Sequence, residues 1–243
     1  MVGPLPPTPT PGAPERLAVR AMFDRIAPRY DLLNRLLSAG TDVRWRRAAV
    51  DFLELPAPAR VLDLCTGTAD LLIEWTRRGA GNSGVGLDLS EAMLRRASRK
   101  LAAHAGGGRG LLACGDAERL PVADAVFDGA LVAFGVRNVA VPEAGLRELA
   151  RVLRRGARLV VLEFSTPPGT LGRLYRLYFR HILPRLGGLI SGDRGAYAYL
   201  PASVDRFPAP RDFGALMAGA GFERVEWRPL SLGIAHLYRG VRP

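Results

Sequence analysis

Residues 61–72 read VLDLCTGTADLL: an apolar run that ends near an acid and breaks at Gly67 before a second apolar stretch. A strand that turns at a glycine into a helix is a common way to hold a nucleotide. The dinucleotide signature G-x-G-x-x-G is absent, because Ala69 stands where its second glycine would be. The stretch is therefore either a cofactor loop of another kind or a plain strand end, and its surroundings decide which. With only Gly67 free to turn, Ala69 is expected to keep a negative φ.

Working outward, short β-rich runs at 60–65, 84–90, 110–116, 127–134 and 157–164 alternate with helical stretches. Two of these stretches, 90–105 and 142–156, are amphipathic, and the second is bounded by Pro142 and Gly156 as start and stop signals. Continuous apolar strands joined by helices imply a parallel sheet covered on both faces. The last two runs, 222–230 and 233–243, are joined by a Pro-Leu-Ser-Leu-Gly link and should pair as an antiparallel hairpin. The fold class expected is α/β: a Rossmann-like, seven-stranded, mostly parallel sheet with a C-terminal antiparallel hairpin. That is the class I methyltransferase arrangement more than a dehydrogenase. Residues 15–55 read as an N-terminal helical cap and 167–206 as a substrate-side insertion, both within a single domain over 15–243.

Asp88 ends the second strand, 21 positions after Gly67, which is the spacing expected between a glycine turn and an acid that grips ribose hydroxyls. The third strand ends in GDAERLP, placing Asp116 and Ala117 at the same rim for an adenine ring. Asp63, Asp70, Asp88 and Asp116 together make the rim acidic. Acids repel a pyrophosphate and suit a sulfonium with an ammonium group, which favours S-adenosylmethionine (SAM) over NAD. After the fourth strand, Arg137 and Asn138 follow Gly135 at the mouth of the site. The N/D-P-P-Y tetrad of base-amino methyltransferases is absent there.

The 243 residues, 48% hydrophobic, suffice for one well-buried core. There is no apolar run long enough to span a membrane, and the proline-rich first 14 residues read as a disordered tail rather than a signal peptide. Cys65 and Cys114 make neither a disulfide framework nor a metal set, and both read as small apolar residues of a cytoplasmic protein. The formal charge is +11, and Lys100 is the only lysine. Such an arginine excess fits a GC-rich coding bias as well as contact with an anionic surface.

Longer blocks narrow the reading. The segments MFDRIAPRYDLLNRLLSAGTDVRWRR, VLDLCTGTADLL, GLDLSEAML, GDAERLP, AFGVRN and ILPRLGGLISGDRGAYAYLPASVDRFP resemble the quinone C-methyltransferases of ubiquinone and menaquinone biosynthesis (UbiE/MenG type). The resemblance runs from residue 22 to the C-terminus. Its most specific parts are F-D-x-I-A-x-x-Y-D, F-G-x-R-N and the late G-D…Y-x-Y-L block.

The resemblance implies a SAM-dependent methyl transfer to a ring carbon of a prenylated quinol. Demethylmenaquinol is favoured over the benzoquinol of ubiquinone synthesis by the CTGTAD form. It places cofactor contacts on Thr68, Asp88, Asp116 and Ala117, with Gly67 supplying the turn. A family serine falls on Ala133, where only the backbone can bond. The electron-rich reduced ring is the implied nucleophile, and Arg137, Tyr30 and Asp31 are the catalytic candidates ahead of His104, His181 and His236. No metal and no nucleic-acid partner are expected. The oligomeric state stays open. Because the tail is lipidic, the stretch 171–185, with arginines opposite an apolar face, is expected at a membrane surface on the cytoplasmic side. Two other readings stay open: another small-molecule or RNA methyltransferase, and a basic nucleic-acid-binding module.

Overall fold

The computed structural model describes residues 13–79, 81–104, 109–167, 169–178 and 194–243. The helices are α1 (Ala13–Ile26), α2 (Tyr30–Leu37), α3 (Thr41–Leu53), α4 (Asp70–Thr76), α5 (Glu91–Ala103), α6 (Pro142–Val152), α7 (Gly169–Leu177), α8 (Arg194–Arg206) and α9 (Pro210–Gly219). The strands are β1 (Arg60–Leu64), β2 (Ser83–Asp88), β3 (Arg109–Cys114), β4 (Phe127–Ala133), β5 (Leu153–Phe164), β6 (Glu223–Leu230) and β7 (Ala235–Val241). They form one sheet in the order β3-β2-β1-β4-β5-β7-β6. β1 to β5 run parallel, and β7 enters antiparallel between β5 and β6. The expected class I methyltransferase architecture is what the chain adopts.

Alternation along each strand feeds two cores. Leu62, Val132, Leu159 and Val161 face α6 and α9, where Leu149, Phe213 and Met217 meet them. Val61, Leu131, Val160 and Leu162 face the other way, onto Trp45, Ala49 and Leu53 of α3 and Trp75 of α4. Each fully buried side chain of this size contributes about 1.5–3 kcal/mol. The edge strand β3 departs from the expected coverage, since Leu111 stands 64% exposed with no further strand beside it. A third cluster lies over the carboxyl edge of the sheet, where Met22, Ile26 and Leu33 meet Met93 and Val204. It brings α1, α2 and α8 against the start of α5.

Gly156 is not the helix stop that the sequence suggested. The helix ends at Val152, and Gly156 sits at φ +78° inside β5. There the register against β4 jumps from Phe127–Leu153 to Gly129–Arg158, so the RRGA residues form a bulge. The tail before Ala13, His181 and most of 178–193 lie outside the described residues.

The loops after β1 and β4 press together. A Cβ added to Gly135 would stand 2.4 Å from the Cβ of Cys65, a backbone-anchored atom that cannot swing away. Gly135→Ala should therefore destabilise the protein by about 1–3 kcal/mol in urea unfolding, as overpacked sites do. An unchanged midpoint would show that the two loops are free to part.

Candidate active site

The turn after β1 is built from left-handed residues: Cys65 (φ +55°), Gly67 (φ +56°) and Ala69 (φ +66°). The expectation for Ala69 is corrected here. Its conformation costs roughly 1–2 kcal/mol for a residue with a Cβ, and packing overrides that preference. Ala69 is fully buried against Leu72, Ile73 and Ala97, a space that admits only a small side chain, and its N–H donates to the Thr66 carbonyl at 2.9 Å.

Two carboxylates hold the turn. Asp63, at 1% exposure, accepts from the Thr66 hydroxyl at 2.5 Å and from the Leu72 N–H at 3.1 Å. Burial pushes its carboxyl up to about 7 despite those bonds. Asp88 accepts from the Gly67 N–H and the Ser90 N–H, both at 2.8 Å. Burial also raises its carboxyl, with these N–H groups pulling the other way. Ser90, rather than Asp88, caps α5, accepting from the Met93 N–H at 3.2 Å.

An elongated cavity follows the carboxyl edge from β3 to β4, with about 760 Å³ of empty space counting its mouth. Gly115, Asp116 and Ala117 lie at one end, Asp88 in the middle, and Gly67, Cys65, Ala133 and Gly135 at the other. α1 closes it from above: Arg16 donates to Asp116 at 2.9 Å and to Glu118 at 3.2 Å. Asp24 of the F-D-x-I-A-x-x-Y-D block accepts from the Ser90 hydroxyl at 2.6 Å and so fastens α1 to α5.

A second, larger cavity adjoins the first, enclosed by α1, α2, α3, α7, α8 and the ends of β4 and β5. Its wall is aromatic. Phe134 and Phe164 stack with ring centres 4.3 Å apart, and Trp45 stands 6.1 and 6.0 Å from them. Phe23, Tyr30 and Phe134 line both cavities, so Tyr30 stands at their junction. The Tyr30 ring passes over the turn, its Cε1 3.9 Å from where a Cβ of Gly67 would be. Burial raises the Tyr30 hydroxyl, opposed by the positive charges of Arg46 and Arg137 and a hydrogen bond with Asn34.

Arg137 lines the second cavity. Its Nη1 donates to Glu163 at 2.5 Å and to the Phe134 carbonyl at 2.6 Å, and its guanidinium lies 5.3 Å from the Phe164 ring centre. Glu163 has no exposure at all, and burial raises its carboxyl while Arg137 opposes the shift. Asn138 accepts from the Tyr199 hydroxyl at 3.1 Å, joining the F-G-x-R-N block to the Y-x-Y-L block 61 residues later.

Of the residues singled out from the sequence, Gly67, Asp88, Asp116, Ala117 and Ala133 share the first cavity, and Tyr30 and Arg137 the second. Thr68 and Asp31 line neither. The Thr68 hydroxyl donates to Asp31 at 2.5 Å and accepts from Lys100 at 3.1 Å. Lys100 also donates to Asp31 at 2.9 Å and to Asp70 at 2.6 Å. The single lysine thus ties α2, the turn and α4 together, and Asp63 and Asp70 leave the rim for structural duties. Two acids, not four, face the first cavity from the strand ends. Cys114 is exposed rather than packed, while burial pushes the Cys65 thiol up.

Among the described residues no histidine lines either cavity: His104 is exposed at the end of α5 and His236 lies within β7. Sequence reasoning missed Arg46, Glu163 and Arg16. Arg46 sits in the VRWRR segment among other arginines, and Glu163 ends an apolar strand, so only the second carried a signal.

The profile of the ubiE/COQ5 methyltransferase family matches residues 13–242. A Thermus thermophilus protein named demethylmenaquinone methyltransferase is 53% identical over 223 residues, 91% of this chain and 100% of that one. The ubiquinone/menaquinone biosynthesis C-methyltransferase UbiE of Syntrophotalea carbinolica is 50% identical, over 92% of this chain and 93% of that one. A demethylmenaquinone methyltransferase of Deinococcus radiodurans is 49% identical, over 92% of each. Among solved structures, a SAM-dependent methyltransferase of Thermotoga maritima superposes with a TM-score of 0.65 at 22% identity, over 93% of this chain and 100% of that one. The cyclase SpnF superposes at 0.71 and 16% identity, over 98% of each. These two likenesses show the fold alone.

The buried Asp63 gives the turn a pH signature. Its folded value of about 7 lies above the usual carboxylate value of about 3.9. Its contribution to stability is therefore complete below about pH 3.9 and lost as pH rises through about 7. The difference in urea-unfolding free energy between wild type and Asp63→Asn should fall by on the order of 3 kcal/mol across that range. Parallel pH curves would contradict this origin.

Proposed function

The chain belongs to the ubiE/COQ5 methyltransferase family, and from that premise we propose that it methylates a ring carbon of a prenylated demethylquinol with SAM as the methyl donor. Demethylmenaquinol is the acceptor we favour, in keeping with the names of the Thermus and Deinococcus relatives. The observation that carries the reading is the junction at Tyr30, where an acid-tipped cavity along the strand ends opens into an aromatic one.

The first cavity fits the donor. Asp88 faces its middle, with lone pairs left over from the two N–H bonds for a pair of ribose hydroxyls. Asp116 and the backbone of Ala117 face the end beyond, where an adenine amine and ring nitrogen would lie. Gly67 allows the backbone to come close, and Thr68 acts from beneath, holding the turn through Asp31 and Lys100. Bound SAM supplies a methyl group on a positively charged sulfur.

The remaining work falls to this chain's side chains. Phe134, Phe164 and Trp45 offer flat apolar surfaces on which an aromatic quinol ring stacks. Tyr30 keeps its proton and acts as a hydrogen-bond donor at the junction. Arg137 does not readily release a proton. Its role is to stabilise the quinolate oxygen that forms as the ring carbon gains electron density, with the proton leaving through a water polarised by its guanidinium. Glu163 holds that guanidinium in place. Asp31 is a positioning residue, not the base.

A quinol with a prenyl tail resides in lipid, so we place the working enzyme at a membrane surface on the cytoplasmic side. No described helix is long and apolar enough to cross a membrane. In support of the surface reading, Leu32 and Leu36 are 60% and 57% exposed on α2, one turn apart, on the helix that brings Tyr30 and Asn34 to the acceptor cavity. Of the 171–185 stretch expected there, 171–178 are described, with Tyr175 and Tyr178 on the wall of the acceptor cavity, and 179–185 lie outside the described residues.

Labelled SAM with each chemically reduced demethylquinol should give methylated menaquinol at least about tenfold faster than methylated benzoquinol. A benzoquinol preference would reverse the assignment of acceptor. For Arg137, removal alone strands a buried Glu163, so the paired variant Arg137→Gln/Glu163→Gln is the cleaner probe. It should bind SAM within a few-fold of wild type and turn over about 100-fold more slowly. Loss of SAM binding would refute its placement on the acceptor side.

A further inference from the structure

The donor carries one negative group, its α-carboxylate, and two acids at the strand ends that face its cavity would repel it. We propose that Arg46 binds this carboxylate. The inference rests on the donor reading above and assigns to this edge a subsite that the strand-end residues leave unfilled.

The order of the strands gives the donor a direction. Asp116 at the end of β3 marks the adenine, Asp88 at the end of β2 the ribose, and the gap between β1 and β4 is left for the amino-acid moiety. The cations near the cavity sort along the same line. Arg16 and Arg20 belong to the adenine and ribose end and are engaged there, Arg16 by Asp116 and Glu118, Arg20 by Asp24 and Glu91. Lys100 lines none of the cavities along this edge and is enclosed by Asp31, Asp70 and Thr68.

At the β1–β4 end stand Arg46 and Arg137; Arg137 is engaged by Glu163 and the Phe134 carbonyl and lines only the acceptor cavity, which leaves Arg46. It is 8% exposed and lines a small cavity under the turn together with Gly67, Thr68, Tyr30 and Ala133. Asp63 and Asp70 line that cavity too, but Asp63 is bonded to Thr66 and Leu72 with its carboxyl raised to about 7, and Asp70 is paired with Lys100. Arg46 also reaches the wall of the acceptor cavity, 5.6 Å from the ring centre of Phe134. The small cavity is the lesser of the two, with about 300 Å³ of empty space against about 1360 Å³ on the acceptor side.

The guanidinium is prepared for an anion. Asp42 receives one of its N–H groups, and Asp42 in turn accepts from the Ser38 hydroxyl at 2.9 Å, which sets the side chain without using the whole fork. Burial would pull its proton affinity down, yet the carboxylates of Asp70 and Asp42 raise it, so Arg46 stays charged inside the fold. A buried cation with most of its donors left over is costly unless a partner arrives. A carboxylate presented from the first cavity completes it with paired hydrogen bonds.

The test is a binding cycle that needs no turnover. Calorimetric affinities are measured for S-adenosylhomocysteine and for its decarboxylated analogue, against wild type, Arg46→Gln and Arg46→Lys. Wild type should bind the carboxylate form about 10–100-fold more tightly than the analogue. Arg46→Gln should lose that factor for S-adenosylhomocysteine and bind the analogue within about twofold of wild type, while Arg46→Lys recovers part of the discrimination. Equal wild-type affinities for the two ligands would overturn the assignment. So would an Arg46→Gln protein that keeps full discrimination and loses only turnover, which would move Arg46 to the acceptor. Should Arg46→Gln fail to fold, Arg46→Lys carries the test: a wild-type degree of discrimination in it would overturn the assignment. A wild type that binds neither ligand would defeat the donor reading itself, an outcome distinct from binding without discrimination.

Discussion

The hydrogen bond from the Gly67 N–H to the Asp88 carboxylate is the constraint on which this site depends. It ties the turn after β1 to the end of β2 and sets the edge along which a ligand can lie. Asp63 supports the same turn from below, and the Asp31–Thr68–Lys100–Asp70 group holds it from the side. Three left-handed residues in five are sustained by those bonds, and none of them by the intrinsic preference of Cys65 or Ala69. Because the turn is held so firmly, Gly67 can lie against the Tyr30 ring. That contact makes Tyr30 the partition between the two cavities.

Charge is arranged around this partition in pairs. Arg137 is matched by Glu163 and Arg46 by Asp42, each pair buried and each cation set against the ring of Phe164 or Phe134. Buried ion pairs of this kind add little to stability relative to apolar packing. What they add is fixed positive charge next to a hydroxyl-bearing ring and an acid-lined cavity. The two arginines supply the positive potential around Tyr30.

The fold was readable because its signals are periodic. Continuous apolar strands, helices between them and the final hairpin follow from residue patterning over a few positions at a time. The placement of Asp88, Asp116 and Gly67 along one cavity at the sheet edge was legible because strand ends announce themselves. The chain pattern could not show that the Thr68 hydroxyl turns to Asp31, or that Asp63 and Asp70 leave the rim, since both facts depend on Lys100 arriving from a helix end. Ala69 failed for a related reason: local preference forbids its conformation, and burial in a tight space imposes it. Gly156 was read as a helix stop because a glycine after an amphipathic run usually is one, whereas here it serves a bulge in β5. Arg46 was hidden among similar residues, and only burial singles it out.

The account holds that one sheet edge presents a donor and a planar acceptor to each other across Tyr30. A crystal structure of the protein with S-adenosylhomocysteine and demethylmenaquinone tests it most directly. The account predicts ribose hydroxyls on Asp88, the quinone ring against Phe134 and Phe164, and the thioether sulfur facing that ring beside Tyr30. A ring bound outside the aromatic cavity, or a nucleoside lying away from Asp88, would contradict it.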